Sequence, residues 1–232
     1  MRKNYTIVTA LCVAVLLSGC ASKEAADVDT DVVDNLTEDV ADNYVTALIE
    51  NKELIILADG EGIAPKLDIE GCDTFTQIVD RKLEDGMGYT NVRIGDEDVL
   101  LVSSLCFDNG DGFMAAIDAE IFRYTEDGFI EEIGQVASGG TAYPLSLQDN
   151  KLICGSNHWF ARFTIEEGQL VLTDQIWAEY AENETDNTFY RYIAEGEKVL
   201  EKLQNEDTFW SMTDDYLDGT PIEFSVVSEK IY

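Results

Sequence analysis

Two carboxylates separated by one residue are the first candidates for acid–base chemistry. Asp118 and Glu120 alternate with Ile117, Ala119 and Ile121, a pattern that predicts a strand with both acids on one face. Two strand rises place the acids about 7 Å apart, a separation that inverting glycoside hydrolysis uses. The chain has 47 acidic residues, however, so alternating acids on a solvated sheet face are also expected, and this second interpretation is favoured.

A short loop offers the oxygen ligands that hard cations prefer. Asp108, Asn109 and Asp111 alternate with Gly110 and Gly112, and this composition suggests calcium. The spacing of a helix–loop–helix calcium site is absent, and Asn-Gly and Asp-Gly are strong hairpin-turn signals in their own right. A plain turn is therefore favoured over a calcium site.

The third candidate surrounds the only histidine. Asn157, His158 and Trp159 are adjacent, and a histidine can act as a general base near neutral pH. No Gly-x-Ser-x-Gly motif accompanies it, and a histidine beside a tryptophan is more often packed or hydrogen-bonded. Phe122 and Tyr124 share the strand face of the two acids, so a binding protein should have an open aromatic surface around Phe122, Tyr124 and Trp159.

Three stretches have the apolar spacing of helices. Leu36 to Ile49 repeats apolar residues every four positions, and Thr74 with Gln77 forms a capping-box signature before a short apolar stripe. Tyr192 to Leu203 is predicted to form a third helix.

Between the second and third helices the apolar period is two, which predicts strands. The predicted strands are Tyr89 to Ile94, Val99 to Phe107, Ala115 to Tyr124, Phe129 to Ala137, Lys151 to Cys154, Trp159 to Thr164 and Leu170 to Trp177. Val99 to Val102 is apolar on both faces, which indicates a central strand covered on both sides. Ile222 to Val226 alternates as a last strand.

These elements predict an α+β fold, with an antiparallel meander of seven to nine strands and two or three packed helices. Arg123-Tyr124-Thr125 is echoed by Arg162-Phe163-Thr164, each before an acidic Gly turn, at a spacing typical of propellers. Two copies are too few to close a propeller. A mostly β barrel or partial propeller is therefore the alternative.

The N-terminus has the pattern of an export signal. Arg2 and Lys3 precede an apolar stretch that ends at Leu17-Ser18-Gly19-Cys20, and this stretch is too short to span a membrane. The final box resembles the bacterial lipoprotein signal, in which the Cys thiol receives a diacylglyceryl group and becomes the new N-terminus. The resemblance implies lipidation of Cys20 and a domain at the outer face of the cytoplasmic membrane.

The expected organisation is a signal peptide over 1–19, a flexible acidic tether over 20–33 and one extracellular domain over 34–232. Residues 1–19 contain two basic and no acidic residues, so the mature chain has 13 basic and 47 acidic residues, a formal charge of −34. Such a surface repels nucleic acid and anionic lipid headgroups. Cys72, Cys106 and Cys154 allow one disulfide or three free thiols, and the sequence favours the thiols.

Several stretches together resemble an uncharacterised family of secreted lipoproteins from Gram-positive anaerobes. They are Gly86–Tyr89, Val99–Val102, Asp108–Gly112, Met114–Glu120, Ser138–Pro144 and Gly155–Trp159. The resemblance implies an extracellular, mostly β domain. Some similar lipoproteins carry longer Asp-x-Asp-Gly-Asp-Gly loops suited to calcium.

The sequence as a whole predicts a membrane-anchored surface lipoprotein that binds a cell-surface glycan or protein and has no catalytic activity. An envelope hydrolase using Asp118 and Glu120 is the first alternative. A calcium-stabilised surface domain is the second. No cofactor other than calcium is expected.

Overall fold

The computed structural model describes residues 64–110, 112–180, 187–194 and 199–228. The predicted signal peptide, Cys20, the tether and the predicted helix from Leu36 to Ile49 lie outside these ranges. Within them, no helix combines the length and the apolar character that crossing a bilayer requires.

Most of the described chain is antiparallel strand, and two helices accompany the strands. The helices are α1 (Phe75–Lys82) and α2 (Glu206–Leu217). The strands are β1 (Gly88–Ile94), β2 (Glu97–Ser103), β3 (Cys106–Asp108), β4 (Met114–Ala116), β5 (Asp118–Tyr124), β6 (Ile130–Ala137), β7 (Ser146–Gln148), β8 (Lys151–Gly155), β9 (Trp159–Glu166), β10 (Gln169–Glu179), β11 (Thr188–Ile193), β12 (Val199–Lys202), β13 (Thr220–Pro221) and β14 (Ser225–Val226).

The strands form two main sheets. The first has the order β14-β1-β2-β5-β6, and the second has the order β12-β11-β10-β9-β8-β7-β13. Strands β3 and β4 form a separate two-stranded ladder. In the second sheet each strand from β7 to β12 pairs with its neighbour in the sequence, as a meander requires. In the first sheet, β1 with β2 and β5 with β6 form such pairs.

The four layers are α1, the first sheet, the second sheet and α2. Apolar residues of β2 and β5 pack against Phe163 and Ile165 of the second sheet to form the central core. On its other face, the first sheet packs against Ile78 of α1. On the outer face of the second sheet, Phe160 contacts a cluster that includes Phe209 of α2. Each sheet therefore buries both faces.

Strand β2 confirms the prediction of a strand covered on both sides. All four residues from Val99 to Val102 are fully buried. Val99 and Leu101 belong to the core between the sheets, whereas Leu100 and Val102 belong to the cluster under α1. An apolar run without alternation is the pattern that such a position demands.

The predicted α+β class with an antiparallel meander is confirmed, and the sheets are open rather than closed into a barrel. The described chain contains fourteen strands, more than the seven to nine expected. Part of the excess comes from short strands such as β3, β4 and β7. The rest comes from a segment that the sequence analysis assigned to a helix.

The predicted third helix is wrong. Thr188–Ile193 and Val199–Lys202 are the strands β11 and β12, and Tyr192 pairs with Leu200 across them. Tyr192, Val199 and Leu200 fit helical spacing, but aromatic and β-branched residues also favour strands. This hairpin extends the edge of the second sheet. The helix in this part of the chain is α2, which begins after β12.

Helix α1 begins where the capping-box signature predicts. The Thr74 hydroxyl accepts a hydrogen bond from the N–H of Gln77 at 3.2 Å. The Gln77 side chain reaches back and accepts from the N–H of Asp73 at 2.7 Å, one residue before the cap. Arg81 and Lys82 lie in the last turn, where positive charge favours the helix dipole.

Helix α2 was not predicted, although its start carries a clear signal. The side chain of Asn205 accepts a hydrogen bond from the N–H of Thr208 at 2.9 Å, and acidic residues fill the first turn. Phe209 and Tyr216 lie two turns apart on the buried face. These residues pack the helix against the second sheet.

An arginine on β9 joins α2 to the sheet. Arg162 donates to Asp174 Oδ1 at 3.1 Å and to Asp215 Oδ2 at 2.6 Å. Its guanidinium carbon lies 4.0 Å from the centre of the Tyr216 ring, and the Tyr216 hydroxyl also donates to Asp174. The side chains of Arg162 and Asp174 are only 13% and 17% exposed, so this ion pair is largely shielded from water, whereas Asp215 is 65% exposed.

The predicted last strand from Ile222 to Val226 forms only in part. Ser225 and Val226 pair with β1 as β14, and Phe224 makes an isolated bridge to Met114. Ile222 and Phe224 are both buried in the central core. The alternation therefore predicts the burial of Ile222 and Phe224 correctly. Only Ser225 and Val226 pair as a strand, so the predicted strand is shorter than expected.

Replacing Leu101 by alanine should test how much stability depends on β2. Leu101 is fully buried, so Leu101→Ala should lower the free energy of unfolding by about 2–5 kcal/mol in a denaturant titration. Leu105→Ala is the matched control, because Leu105 is 65% exposed and should change the value by less than about 0.5 kcal/mol. Equal effects of the two substitutions would contradict the burial of β2 on the face between the sheets.

Candidate functional site

Asp118 is a buried structural carboxylate that fastens the chain after β2. It is 2% exposed. Its Oδ1 accepts from the Ser103 hydroxyl at 2.9 Å and from the Ser104 N–H at 2.8 Å, and its Oδ2 accepts from the Ser104 hydroxyl. Three donors therefore hold the carboxylate in place, as a buried acid requires.

Glu120 lies on the same face of β5 but has a different environment. It is fully buried, and its Oε2 accepts from the N–H of Leu67 at 2.9 Å. Its Oε1 has no hydrogen-bond partner among the described residues. Burial is the main cause that raises the pKa of Glu120 to about 7.

The two acids thus share a face, as the alternation predicts, but not a solvated surface. Asp118 is covered by the chain after β2, and Glu120 is covered by residues near Leu67. An acid that shuttles protons to a substrate must reach it directly or through one water. In this structure both carboxyl groups are closed off from solvent, which is unlike the cleft that a glycoside hydrolase would need.

The expected aromatic surface around Phe122, Tyr124 and Trp159 does not form. Phe122 is fully buried under α1, and Trp159 is buried in the core between the two sheets. Tyr124 is 39% exposed, but its ring lies 4.3 Å from that of Phe75 and its hydroxyl accepts from the Phe75 N–H. Alternation along β5 and β9 directs these aromatic rings into different layers.

Asn157 and His158 occupy the turn between β8 and β9. Asn157 is exposed, and His158 is half-buried with its ring 4.9 Å from that of Tyr180. The backbone of His158 is also fixed, since its N–H donates to the Ser156 hydroxyl and its carbonyl accepts from Ala178. The structure therefore places the histidine in a packed position beside an aromatic ring.

Two glycine-containing segments that are far apart in the sequence come together at one end of the second sheet. The N–H of Gly139 donates to the carbonyl of Gly155 at 2.9 Å, and the N–H of Gly155 donates to the Ser138 hydroxyl at 3.1 Å. A Cβ atom on Gly139 would lie 2.6 Å from the Cβ of Ser156. This close approach requires glycine at position 139.

A cleft of about 260 Å³ opens beside these segments, between the loop after β6 and the end of α2. Phe160 lies at its base, with the ring of Tyr143 at 5.6 Å and the ring of Tyr216 at 5.5 Å. The complete lining consists of Asn109, Thr141, Ala142, Tyr143, Pro144, Ser146, Ile153, Gly155, Phe160, Tyr216, Leu217, Gly219 and Pro221.

The lining combines neutral polar groups with aromatic and aliphatic surface. Of the described residues that line the cleft, none is an Asp, Glu, His, Lys, Arg or Cys. Tyr216 is the buried phenol bonded to Asp174, and burial raises its pKa far above the ordinary value. The cleft therefore offers shape and hydrogen bonds, but no acid–base pair.

Sequence reasoning missed most of this cleft. It noted the Ser138–Pro144 segment, but it did not recognise Phe160, Tyr216 or Leu217. The cap at Asn205 and the seven-residue spacing of Phe209 and Tyr216 would have indicated the helix. No local pattern indicates that this helix ends against the loop after β6.

The proposed calcium loop is the turn between β3 and β4. Asp108 Oδ1 accepts from the N–H of Gly110 at 2.8 Å, and the N–H of Asn109 donates to the Phe113 carbonyl. Asp111 lies outside the described residues. Among the residues that the structure describes, no group of three or more His, Cys, Asp or Glu side chains is placed to hold a metal ion.

The cysteines of the folded domain are free thiols. Cys72 and Cys106 are half-buried, and Cys154 is buried. Burial, with a further contribution from Asp118, raises the pKa of Cys106 to about 11. Because the thiolate is the reactive form, this thiol is a poor nucleophile at neutral pH.

Comparisons with known proteins do not assign the chain to a family. The sequence matches no protein-family model, and neither a curated protein nor a solved structure is detectably similar to the chain.

Replacing Asp118 by asparagine should show that its role is structural. Asp118→Asn replaces one carboxylate oxygen by an NH2 group, which cannot accept the hydrogen bonds that Ser103 and Ser104 donate. The free energy of unfolding should therefore fall by about 1–3 kcal/mol. Asp127→Asn is the matched control, because Asp127 is exposed in the turn after β5 and should have little effect. Denaturant titrations of both variants measure the difference, and an unchanged stability of Asp118→Asn would contradict the assignment.

Proposed function

We propose that the chain is a lipid-anchored extracellular binding module whose ligand occupies the cleft beside Tyr143. The observation that carries the proposal is the neutral, partly aromatic lining of this cleft. Sites for small molecules are concave, and they combine apolar surface with a few placed polar groups. The ligand that fits this lining best is a neutral carbohydrate.

The charge balance supports an uncharged ligand. The formal charge of the mature chain repels anionic polymers, and the described lining has no basic side chain to offset that repulsion. It also has no carboxylate to pair with a cationic ligand. A sugar ring presents C–H faces and hydroxyl groups, and these match the mixture of Tyr143, Leu217, Asn109 and Thr141.

The position of the acids favours binding over hydrolysis. Asp118 is engaged by Ser103 and Ser104, and Glu120 is enclosed beneath Leu67. Neither residue lines the cleft. Among the described lining residues, a ligand in the cleft therefore meets no carboxyl group that could protonate a leaving oxygen.

The proposed location rests on the N-terminal sequence. The box that ends at Cys20 follows a charged start and an apolar stretch, and two acyl chains on one cysteine suffice for stable anchoring. The acidic tether after Cys20 would hold the domain away from an anionic membrane surface. A ligand at the cell surface would then be within its reach.

Binding to neutral oligosaccharides, measured by a glycan array and then by calorimetry on the mature chain, tests the ligand class. Leu217→Ala should weaken the binding about tenfold, equivalent to about 1.4 kcal/mol, because Leu217 is 53% exposed at the rim and would be covered by the ligand. Leu105→Ala should leave the Kd unchanged. Binding of peptides alone, or release of new reducing ends from the glycan, would contradict the proposal.

Substitution of Cys20 tests the anchor separately. Cys20→Ala should abolish labelling by radioactive palmitate and, if the signal is still cleaved, move the protein from the membrane fraction to the medium. Cys12→Ala is the matched control, because Cys12 lies within the segment removed with the signal and its loss should leave labelling intact. Unchanged labelling of the Cys20→Ala variant would overturn the lipoprotein assignment.

A further inference from the structure

Glu120 is an ionisable group in a place that does not suit its charged form. Its cross-strand neighbours are Val102 on β2 and Gln135 on β6. The carboxyl group is fully buried, and only one of its two oxygens has a hydrogen-bond partner among the described residues. A buried charge with an unpaired oxygen is costly, so the neutral form is the one that this site accommodates.

The cover over Glu120 is a short extended segment, the strap, which comprises residues 64–69. The N–H of Leu67 donates to Glu120 Oε2 at 2.9 Å, and the Pro65 carbonyl accepts from Gln135 Nε2 at 3.2 Å. Leu67 and Ile69 pack against the apolar cluster under α1. Two hydrogen bonds and this packing therefore hold the strap over the carboxyl group.

The groups facing Glu120 act in opposite directions. After burial, the negative charge of Glu132 on β6 raises the pKa of Glu120, whereas the Leu67 N–H, the Gln135 amide and the positive charge of Lys66 on the strap lower it. From β2 and α1, the cluster contributes apolar side chains.

Ionisation of Glu120 would therefore oppose closure of the strap. Because the pKa in the folded state, about 7, lies above the ordinary value of 4.5, the neutral group stabilises the closed form fully below pH 4.5. That contribution is lost as the pH rises through 7. An ionised Glu120 reaches water most readily by displacing the strap, which is held less firmly than the strands of the sheet.

We propose that the strap and Glu120 form a pH-sensitive latch, closed when Glu120 is neutral and released when it ionises. The strap is the first described segment of the domain, and residues 34–63 separate it from the predicted tether in the sequence. Release would expose apolar surface near Phe122 to solvent.

Hydrogen–deuterium exchange on the full mature chain, corrected for the intrinsic effect of pH, tests this latch. In the wild-type protein, exchange in residues 64–70 should quicken about tenfold between pH 5 and pH 6 and level off above pH 7, since opening is linked to loss of one proton only between the open-state pKa of 4.5 and the closed-state pKa of about 7. Exchange in α2 serves as the internal reference and should not change. In Glu120→Gln, the strap should stay protected across the same range.

Two further variants keep the test decisive if Glu120→Gln does not fold. Glu132→Gln removes a negative charge and should shift the exchange transition to lower pH, whereas Lys66→Met removes a positive charge and should shift it to higher pH. A residue with a purely structural role would not produce these opposite shifts. Exchange in the strap that does not depend on pH, or a transition that Glu120→Gln leaves unchanged, would overturn the proposal.

Discussion

The structure depends on one strand that must be covered on both faces. Val99 to Val102 has no polar side to turn towards water, so each face of β2 needs a layer of its own. The second sheet covers one face, and α1 with the strap covers the other. The neighbouring strand β5 lies in the same sheet, so its side chains are buried with those of β2, including its acids.

That burial explains why two acids on one strand face behave differently. Asp118 lies where the chain leaves β2, and the hydroxyl and N–H groups of Ser103 and Ser104 supply the donors that a buried carboxylate needs. Glu120 lies one step further into the sheet, where its neighbours are Val102 and the amide of Gln135. Identical spacing thus leads to different hydrogen-bonding environments, because the supply of donors differs over a distance of about 7 Å.

Local sequence patterns predicted those strands and helix ends whose formation depends on residues close together in the sequence. Alternation located β1, β2, β5 and β6 of the first sheet and β8, β9 and β10 of the second, and the Thr74–Gln77 signature located the start of α1. The segment from Tyr192 to Leu203 was misassigned because its apolar spacing fits two structures, and the choice depends on pairing with β10. Spacing also placed Asp118 and Glu120 on one face correctly. What covers that face is a segment about fifty residues away in the sequence, which no periodicity reveals.

The excess of acids also determines how the few arginines are used. Arg123 donates to Glu97 at 2.9 Å and to Glu131 at 2.7 Å, and Arg162 likewise joins two acids from different elements. Each guanidinium is at least four-fifths buried and therefore cross-links the fold instead of recruiting an anion from solution. With these cations committed internally, the outer surface keeps its negative charge. The described lining of the cleft beside Tyr143 carries no charged side chain, so recognition of the proposed ligand there would rest on shape, apolar contact and neutral hydrogen bonds.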